Sequence, residues 1–465
     1  KKAFQFCVAN LNDGDRFEVL RFSTETEPLF GGLQKVSSNN RAQAVDFISG
    51  LKPIGGTAIN DALANALKLR PAKGDRPFVV IFLTDGRPTV GITGEGQIVQ
   101  NVGKAAGNTR VFCFGIGTDV NAHLLDKITE ETRASSTYVT PQEDIEVKVS
   151  SFYTKIKEPV LANPKLEFSD GIRVTKLYPN PLPDLFRGEE LVLVGRYKGK
   201  GDGDVMLEGT LAGKKTQLEF PVTFPAQADH DFIPRLWATR RVGYLLDEIR
   251  LRGENKELKD EVTTLARKYG IVTPYTAYLI IEDEQRRGVP VAQRTLRNVE
   301  ADREVLDQTR KQFEALKLDK DGDQAIGSAR AAKALKEATN AKAAAKNSNR
   351  EAQQANFGFD NGAPTVPTVR GQSGGSGQLF FAPTKSDSAR AVSQPMEFAA
   401  GKNFTQNARF WVDSDVQAAA VAKAKRSRIA FNSDAYFNLL AMEPKVSQWL
   451  ALGRNVQFVL NNTIY

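Results

Sequence analysis

Apolar residues in the first 160 positions switch between two spacings. Residues 78–83 (FVVIFL) and 111–116 (VFCFGI) are continuous apolar runs, the mark of strands buried on both faces. Residues 15–22 (DRFEVLRF) alternate with period two and predict a strand; 137–139 predict a shorter one. Between them, residues 41–51 place Ala44, Val45, Ile48 and Leu51 on one helical face. Residues 58–69, 97–106, 121–132 and 145–156 also read as helices, and 3–11 as the end of another. Strands alternating with helices predict a doubly wound, mostly parallel, Rossmann-like α/β sheet over residues 1–157.

The pattern changes after Glu158 and Pro159. Residues 158–232 carry short β runs punctuated by Gly and Pro, at 166–168, 173–178, 190–197, 204–210 and 216–222. They predict a small antiparallel sheet. Residues 233–283 predict a helical pair and a strand. One helix (236–252) stripes Val242, Leu245, Leu246 and Ile249, and the other (258–269) ends at Gly270, a C-cap residue. The strand is expected at 277–281. Residues 284–356 are rich in Ala, Lys, Gln, Arg and Glu and predict a long polar helix that would serve as a stalk or spacer. Residues 357–400 include GQSGGSG and read as a flexible linker. A small α/β segment follows at 401–465, with short helices at 434–440 and 445–452 and a strand at 456–460.

Bulk chemistry narrows the function. The 465 residues carry a net charge of +8, mild for this length, and the main basic stretch is short, at 423–428. A solvated surface explains that charge better than nucleic acid does. Cys7 and Cys113 are the only cysteines and His123 and His230 the only histidines. That excludes a disulfide scaffold and a cysteine or multi-histidine metal site. Cys113 reads as a core thiol. No run of about 18 apolar residues is present to span a membrane.

Two segments carry candidate chemistry. Gly55-Gly56-Thr57-Ala58-Ile59 precedes a helix, and Phe82-Leu83-Thr84-Asp85-Gly86 ends a buried strand. Both fall in loops beyond the carboxyl ends of strands, where open α/β sheets bind ligands. Thr57 offers a hydroxyl and Asp85 a carboxylate, hard oxygen donors suited to magnesium. Asp85 is expected to be desolvated there and unable to stay charged without a partner, which a bound cation would supply. Gly55, Gly56 and Gly86 allow tight loops and close approach. Taken singly, Thr57 could be a helix N-cap and Asp85 a turn residue. Their joint placement on this architecture favours a site.

These segments resemble the second and third metal-site motifs of the von Willebrand factor type A domain, over residues 1–157. The family's first motif, Asp-x-Ser-x-Ser, ends the strand before its first helix. This chain begins inside that helix, so the resemblance implies a fragment lacking the motif and the central strand, with two exposed strand edges. Ser23, Ser37 and Ser38 lie on other elements and do not replace the motif. Further on, RLWA (235–238) and IVTPYTAYL (271–279) resemble the inter-alpha-trypsin inhibitor heavy chains and their bacterial relatives, in which a VIT domain precedes the type A domain. FWVDS (410–414) and SDAYFNLL (433–440) resemble the bacterial versions.

The resemblance implies a non-enzymatic adhesion module. Thr57 and Asp85 would help hold magnesium, an acidic side chain of a protein partner would complete its shell, and the protein would be exported. A structural or envelope-assembly protein with a metal-free type A domain is the alternative. A metal-assisted hydrolase is disfavoured because no general base or nucleophile accompanies the motifs. The weaker signals read as ordinary structure. Asp319-Lys320-Asp321-Gly322-Asp323 starts like a calcium loop, but Gln324 and Arg330 occupy the positions that need Gly and Glu, which leaves a helix-breaking turn. Gly115-Ile116-Gly117-Thr118-Asp119 reads as a strand-end turn, and His123 as a surface histidine. Asn461-Asn462-Thr463 satisfies the glycosylation pattern.

Overall fold

The computed structural model describes residues 1–53, 55–71, 76–211, 214–226, 230–356, 395–418 and 424–465. They form two compact units, residues 1–227 with 319–329, and 228–318 with 330–465.

The first unit opens with α1 (Lys2–Ala9), β1 (Arg16–Phe17), β2 (Leu20–Phe22), β3 (Thr26–Pro28), β4 (Gln34–Lys35), α2 (Ser38–Ser49) and α3 (Ile59–Lys68). It continues through β5 (Val79–Thr84), α4 (Glu95–Ala106), β6 (Arg110–Ile116), α5 (Ala122–Glu131), β7 (Ser136–Val139) and α6 (Ile145–Ile156). The strands β5, β6 and β7 pair in parallel in that order. The expected α/β architecture is present. Val111 and Cys113 of β6 face a core built by Leu63 of α3, Ile98 and Val102 of α4, and Leu124 and Ile128 of α5. Phe114 faces the other way, into a core with Ala3 and Cys7 of α1 and Val149 and Tyr153 of α6. Both faces of β6 are thus covered, which is why its sequence is apolar without alternation. Both cysteines are free and buried. Burial pushes the Cys7 thiol up to about 12 and raises Cys113 as well, as inert core thiols require.

Residues 15–22 do not make one strand. β1 pairs with β4 and β2 with β3, and the chain breaks at Glu18. The Glu18 carboxylate accepts from the backbone N–H groups of Phe30 (3.0 Å) and Gly32 (2.8 Å), pinning the following loop instead of continuing a ladder. The β2–β3 hairpin meets β5 through stacked rings of Phe22 and Phe82, 5.2 Å apart, without strand pairing. Among the described residues nothing pairs with the outer edge of β5.

A β-rich region follows, with β8 (Pro159–Phe168), β9 (Arg173–Tyr178), β10 (Leu185–Phe186), β11 (Val194–Lys198), β12 (Gly201–Leu211) and β13 (Lys214–Phe224). Its antiparallel sheets run β10-β8-β12-β13 and β11-β9.

The second unit contains α7 (Phe232–Arg252), α8 (Lys256–Tyr269), α9 (Pro274–Arg286), α10 (Arg297–Ala301) and α11 (Arg303–Leu318). Then come α12 (Gly322–Lys336), whose residues 322–329 count with the first unit, and α13 (Ala341–Asn356). Gly270 caps α8 in the left-handed region at φ 63°, as expected. The strand expected at 277–281 is instead part of α9. Thr273 and Thr276 exchange reciprocal side-chain bonds at its start, and Pro274 opens its first turn. Tyr275, Thr276, Ala277, Leu279, Ile280 and Ile281 are all buried. A helix buried on nearly every side has the same unbroken apolar sequence as a buried strand.

The polar helix expected at 284–356 is also corrected. It is several packed helices, broken at Gly288, at Asp302, at 319–321 and at 337–340. Its alanines are packing surface. Ala331, Ala332 and Leu335 are buried, and a Cβ on Gly243 of α7 would lie 2.6 Å from the backbone nitrogen of Lys336. That close helix contact removes the stalk reading.

The C-terminal segment comprises β14 (Met396–Ala399), β15 (Lys402–Asn407), β16 (Phe410–Asp413), β17 (Lys425–Arg426), α14 (Asp434–Met442), α15 (Val446–Leu450), β18 (Val456–Gln457), β19 (Val459–Leu460) and β20 (Thr463–Ile464). It begins within the span assigned to the linker; residues 357–394 of that linker lie outside the described residues. Among the described residues no helix is long and apolar enough to cross a membrane.

Candidate functional site

The carboxyl end of β5 sets the site. Thr84, buried, donates its hydroxyl to the Gly86 carbonyl (3.0 Å) and accepts from the Gly86 N–H (3.3 Å). This turn presents Asp85 outward, at an exposed position. The desolvation expected for Asp85 is therefore absent: water can solvate its charge, and no partner is required on that ground.

The Thr57 loop reaches the same place. Gly55 holds φ at +65°, which a side chain would strain. Gly56 passes so close to Val90 that a Cβ would sit 2.3 Å from the Val90 Cγ2. Four backbone bonds fix this loop. The Gly56 N–H donates to Thr24 Oγ1 (3.3 Å) and the Ala58 N–H to the Ser23 carbonyl (2.8 Å). The Thr57 N–H donates to Thr89 Oγ1 (2.8 Å), and the Thr89 N–H returns to the Thr57 carbonyl (3.0 Å). The Thr57 side chain then lies beside Gly86, whose added Cβ would be 3.4 Å from Thr57 Oγ1. Thr57 and the Asp85–Gly86 turn, far apart in sequence, meet at one rim. Thr57 is no helix N-cap: Ala58 holds that position, and α3 has no side-chain cap.

Sequence reading missed the supports of this rim. Ser23 sits on another element, as expected, but its hairpin turn packs on the Thr57 loop. Thr24 and Thr89 showed no periodic or motif signal, and their roles follow from loop contacts that only the fold creates. Thr84 lay inside the FLTDG segment, but its part in holding the turn was not read.

A second polar cluster lies on the same unit. Glu95, at the start of α4, accepts from Asn121 Nδ2 (2.7 Å) and contacts His123 Nδ1 (2.8 Å) and Lys320 Nζ (3.3 Å). Burial would raise its pKa, but the hydrogen bonds from His123 and Asn121 and the charge of His123 outweigh that and hold it at about 2. His123 is buried, not the surface residue expected, because α5 turns that side toward Glu95. The turn at 319–322 is clasped here. The Gly322 N–H donates to the Thr118 carbonyl (3.1 Å), the His123 N–H to the Lys320 carbonyl (3.2 Å), and Arg87 pairs with Asp321 (3.1 Å). Asp319–Asp321 is thus the helix-breaking turn expected from sequence.

Residues 1–136 match the family model described as von Willebrand factor type A domain. This segment is a von Willebrand factor type A domain. Domains of this family are generally protein-interaction or adhesion modules. The chain is also similar to curated relatives of greater length. It is 27% identical over 319 residues to human inter-alpha-trypsin inhibitor heavy chain H4, covering 64% of this chain and 34% of that protein. It is 26% identical over 308 residues to pig inter-alpha-trypsin inhibitor heavy chain H2, covering 61% and 32%. The chain thus spans about a third of the length of the curated relatives it matches. Among solved structures, a von Willebrand factor type A protein from Catenulispora acidiphila is 17% identical, with a TM-score of 0.42, covering 62% of this chain and 76% of that one. Within the type A domain, both segments singled out from sequence fall at the carboxyl end of the parallel sheet.

Proposed function

We propose that the type A domain binds a protein partner through the rim that carries Thr57, Asp85 and Gly86, and that a divalent cation is shared across the contact. The observation that carries this reading is the approach of the Thr57 hydroxyl to the Asp85–Gly86 turn. Among the described residues, neither the Thr57 hydroxyl nor the Asp85 carboxylate has a hydrogen-bond or ion-pair partner. A hydroxyl and a carboxylate fit two positions of a magnesium shell, an ion that keeps several waters. Among the described residues no three His, Cys, Asp or Glu side chains group to complete a cage. Oxygen atoms from water or from outside these loops would fill the remaining positions. When bound, the cation would offer positive charge to an acidic side chain of the partner. Thr57 and Asp85 would orient it, and Gly86 would leave it room.

The role is binding and not catalysis. The domain's buried histidine is engaged by Glu95, which makes it a structural element instead of a free base. A metal-free docking face is the second reading, favoured by the Arg87–Asp321 pair that decorates the domain surface near Gly86. The similarity to the heavy chains supports a location outside the cytoplasm, which cell fractionation would check.

Calorimetric titration of the full chain with magnesium and manganese separates the readings. Saturable binding that Asp85→Ala abolishes supports the cation site. Absence of saturable binding in the wild type rejects it and leaves the metal-free face.

A further inference from the structure

The C-terminal segment carries an apolar surface whose residues are flanked in sequence by basic ones. Helix α14 (DAYFNLLAM) buries Leu439 in a core with Phe404, Val446, Trp449 and Phe458. Its opposite side is apolar too: Ala435, Phe437, Ala441 and Met442 are exposed, with only Asp434 and Asn438 as polar neighbours. A short helix that is apolar on both sides has one face too many for its own core. Phe437 is 53% exposed, Met442 66%, and Phe431, in the loop before the helix, 80%. The rings of Phe431 and Tyr436 lie 5.2 Å apart and those of Tyr436 and Phe437 5.4 Å apart, so the aromatics form one cluster.

This surface is held firmly. Ser433 caps α14 by accepting from the Tyr436 N–H (3.3 Å) and donates to the Ala430 carbonyl (2.8 Å). Just upstream, β17 pairs with β20, and the Ser427 N–H donates to the Ile464 carbonyl (2.9 Å). Lys425, Arg426 and Arg428 lead into the cluster and Lys445 follows it, all exposed. None of the four forms an ion pair among the described residues.

We propose that this face docks peripherally on an anionic lipid surface, with Phe431 and Phe437 entering the interface and the basic side chains meeting the headgroups. The charge pattern selects this occupant. Lysine is depleted from the cores of protein interfaces, whereas exposed aromatics with Lys and Arg nearby in sequence suit the boundary of an anionic bilayer, which attracts basic residues. A protruding aromatic also suits insertion better than it suits a flat protein contact. Each phenylalanine withdrawn from water strengthens binding by about tenfold or more, and each basic residue near an anionic surface by about fivefold.

The test is co-sedimentation of the full chain with phosphatidylcholine vesicles, with and without phosphatidylglycerol. The wild type should pellet only with anionic vesicles and be released by salt. A Phe431→Ser/Phe437→Ser variant should lose most of that binding while keeping its circular dichroism and melting transition; Arg426→Gln/Arg428→Gln should lose about an order of magnitude. Phe431→Trp should retain binding. Failure of the wild type to pellet, equal pelleting with neutral vesicles, or full binding by the serine variant would each overturn the proposal. A dimer that the serine variant dissociates, without vesicle binding, would assign the face to a second copy of the chain and overturn it equally.

Discussion

Gly86 faces Thr57 so closely that a Cβ on the glycine would rest 3.4 Å from the threonine hydroxyl. A side chain longer than a methyl at residue 86 would enter the space that a cation would share with Thr57. Gly86→Ala should be tolerated, since that distance is an ordinary contact. Gly86→Val should crowd the hydroxyl and weaken manganese binding by about tenfold or more, equivalent to about 1.4 kcal/mol, with little change in melting temperature. Calorimetry and thermal melts on both variants check this.

Gly56 is the less forgiving glycine. Its missing side chain is where Val90 Cγ2 sits, at 2.3 Å from an added Cβ. Gly56→Ala forces Val90 or the loop to move and should cost about 1–3 kcal/mol. Gly96→Ala, where nothing lies within 4 Å, is the control and should be neutral or slightly stabilising within its helix. Urea unfolding of the two variants measures the difference.

The Glu95 cluster makes stability depend on acid. Its folded pKa of about 2 lies below the ordinary value of 4.5, so the folded state favours the ionised form. That contribution is fully present above about 4.5 and is lost as pH falls toward 2. Glu95→Gln should be less stable than wild type at neutral pH, and its stability should fall less steeply across that window. Chemical denaturation from neutral pH down to acid would show the two curves converging; parallel curves would contradict the assignment.

The architecture of residues 1–157 was legible because continuous apolar runs and amphipathic periods differ plainly there. The rim was half legible. GGTAI and FLTDG carry their glycines and oxygen donors in the open, whereas Thr24 and Thr89 act through loop contacts between distant segments. His123 was misread because a single histidine on a helix says nothing of which neighbour covers it. α9 was misread because full burial erases the helical period. The alanines of α12 passed for a solvated stalk because alanine looks weakly apolar in sequence yet packs tightly, as Gly243 against Leu335 shows.

The start of α9 offers a direct check on that correction. Thr273 and Thr276 are buried and cap each other, with the Thr273 N–H donating to Thr276 Oγ1 at 2.8 Å. Thr276→Val keeps the shape, removes that acceptor and leaves a buried N–H unpaired. It should cost about 1–3 kcal/mol, visible as a lower urea midpoint for the second unit. A neutral outcome would argue against the helical cap.

The central claim is that two loops join to hold one ion. Amide NMR spectra of the full chain, recorded while manganese is added, test it most directly. The account predicts paramagnetic broadening of the Thr57 and Gly86 amides together, at the same metal concentration, and its loss in Asp85→Ala. Broadening at one loop without the other, or at neither, would contradict it.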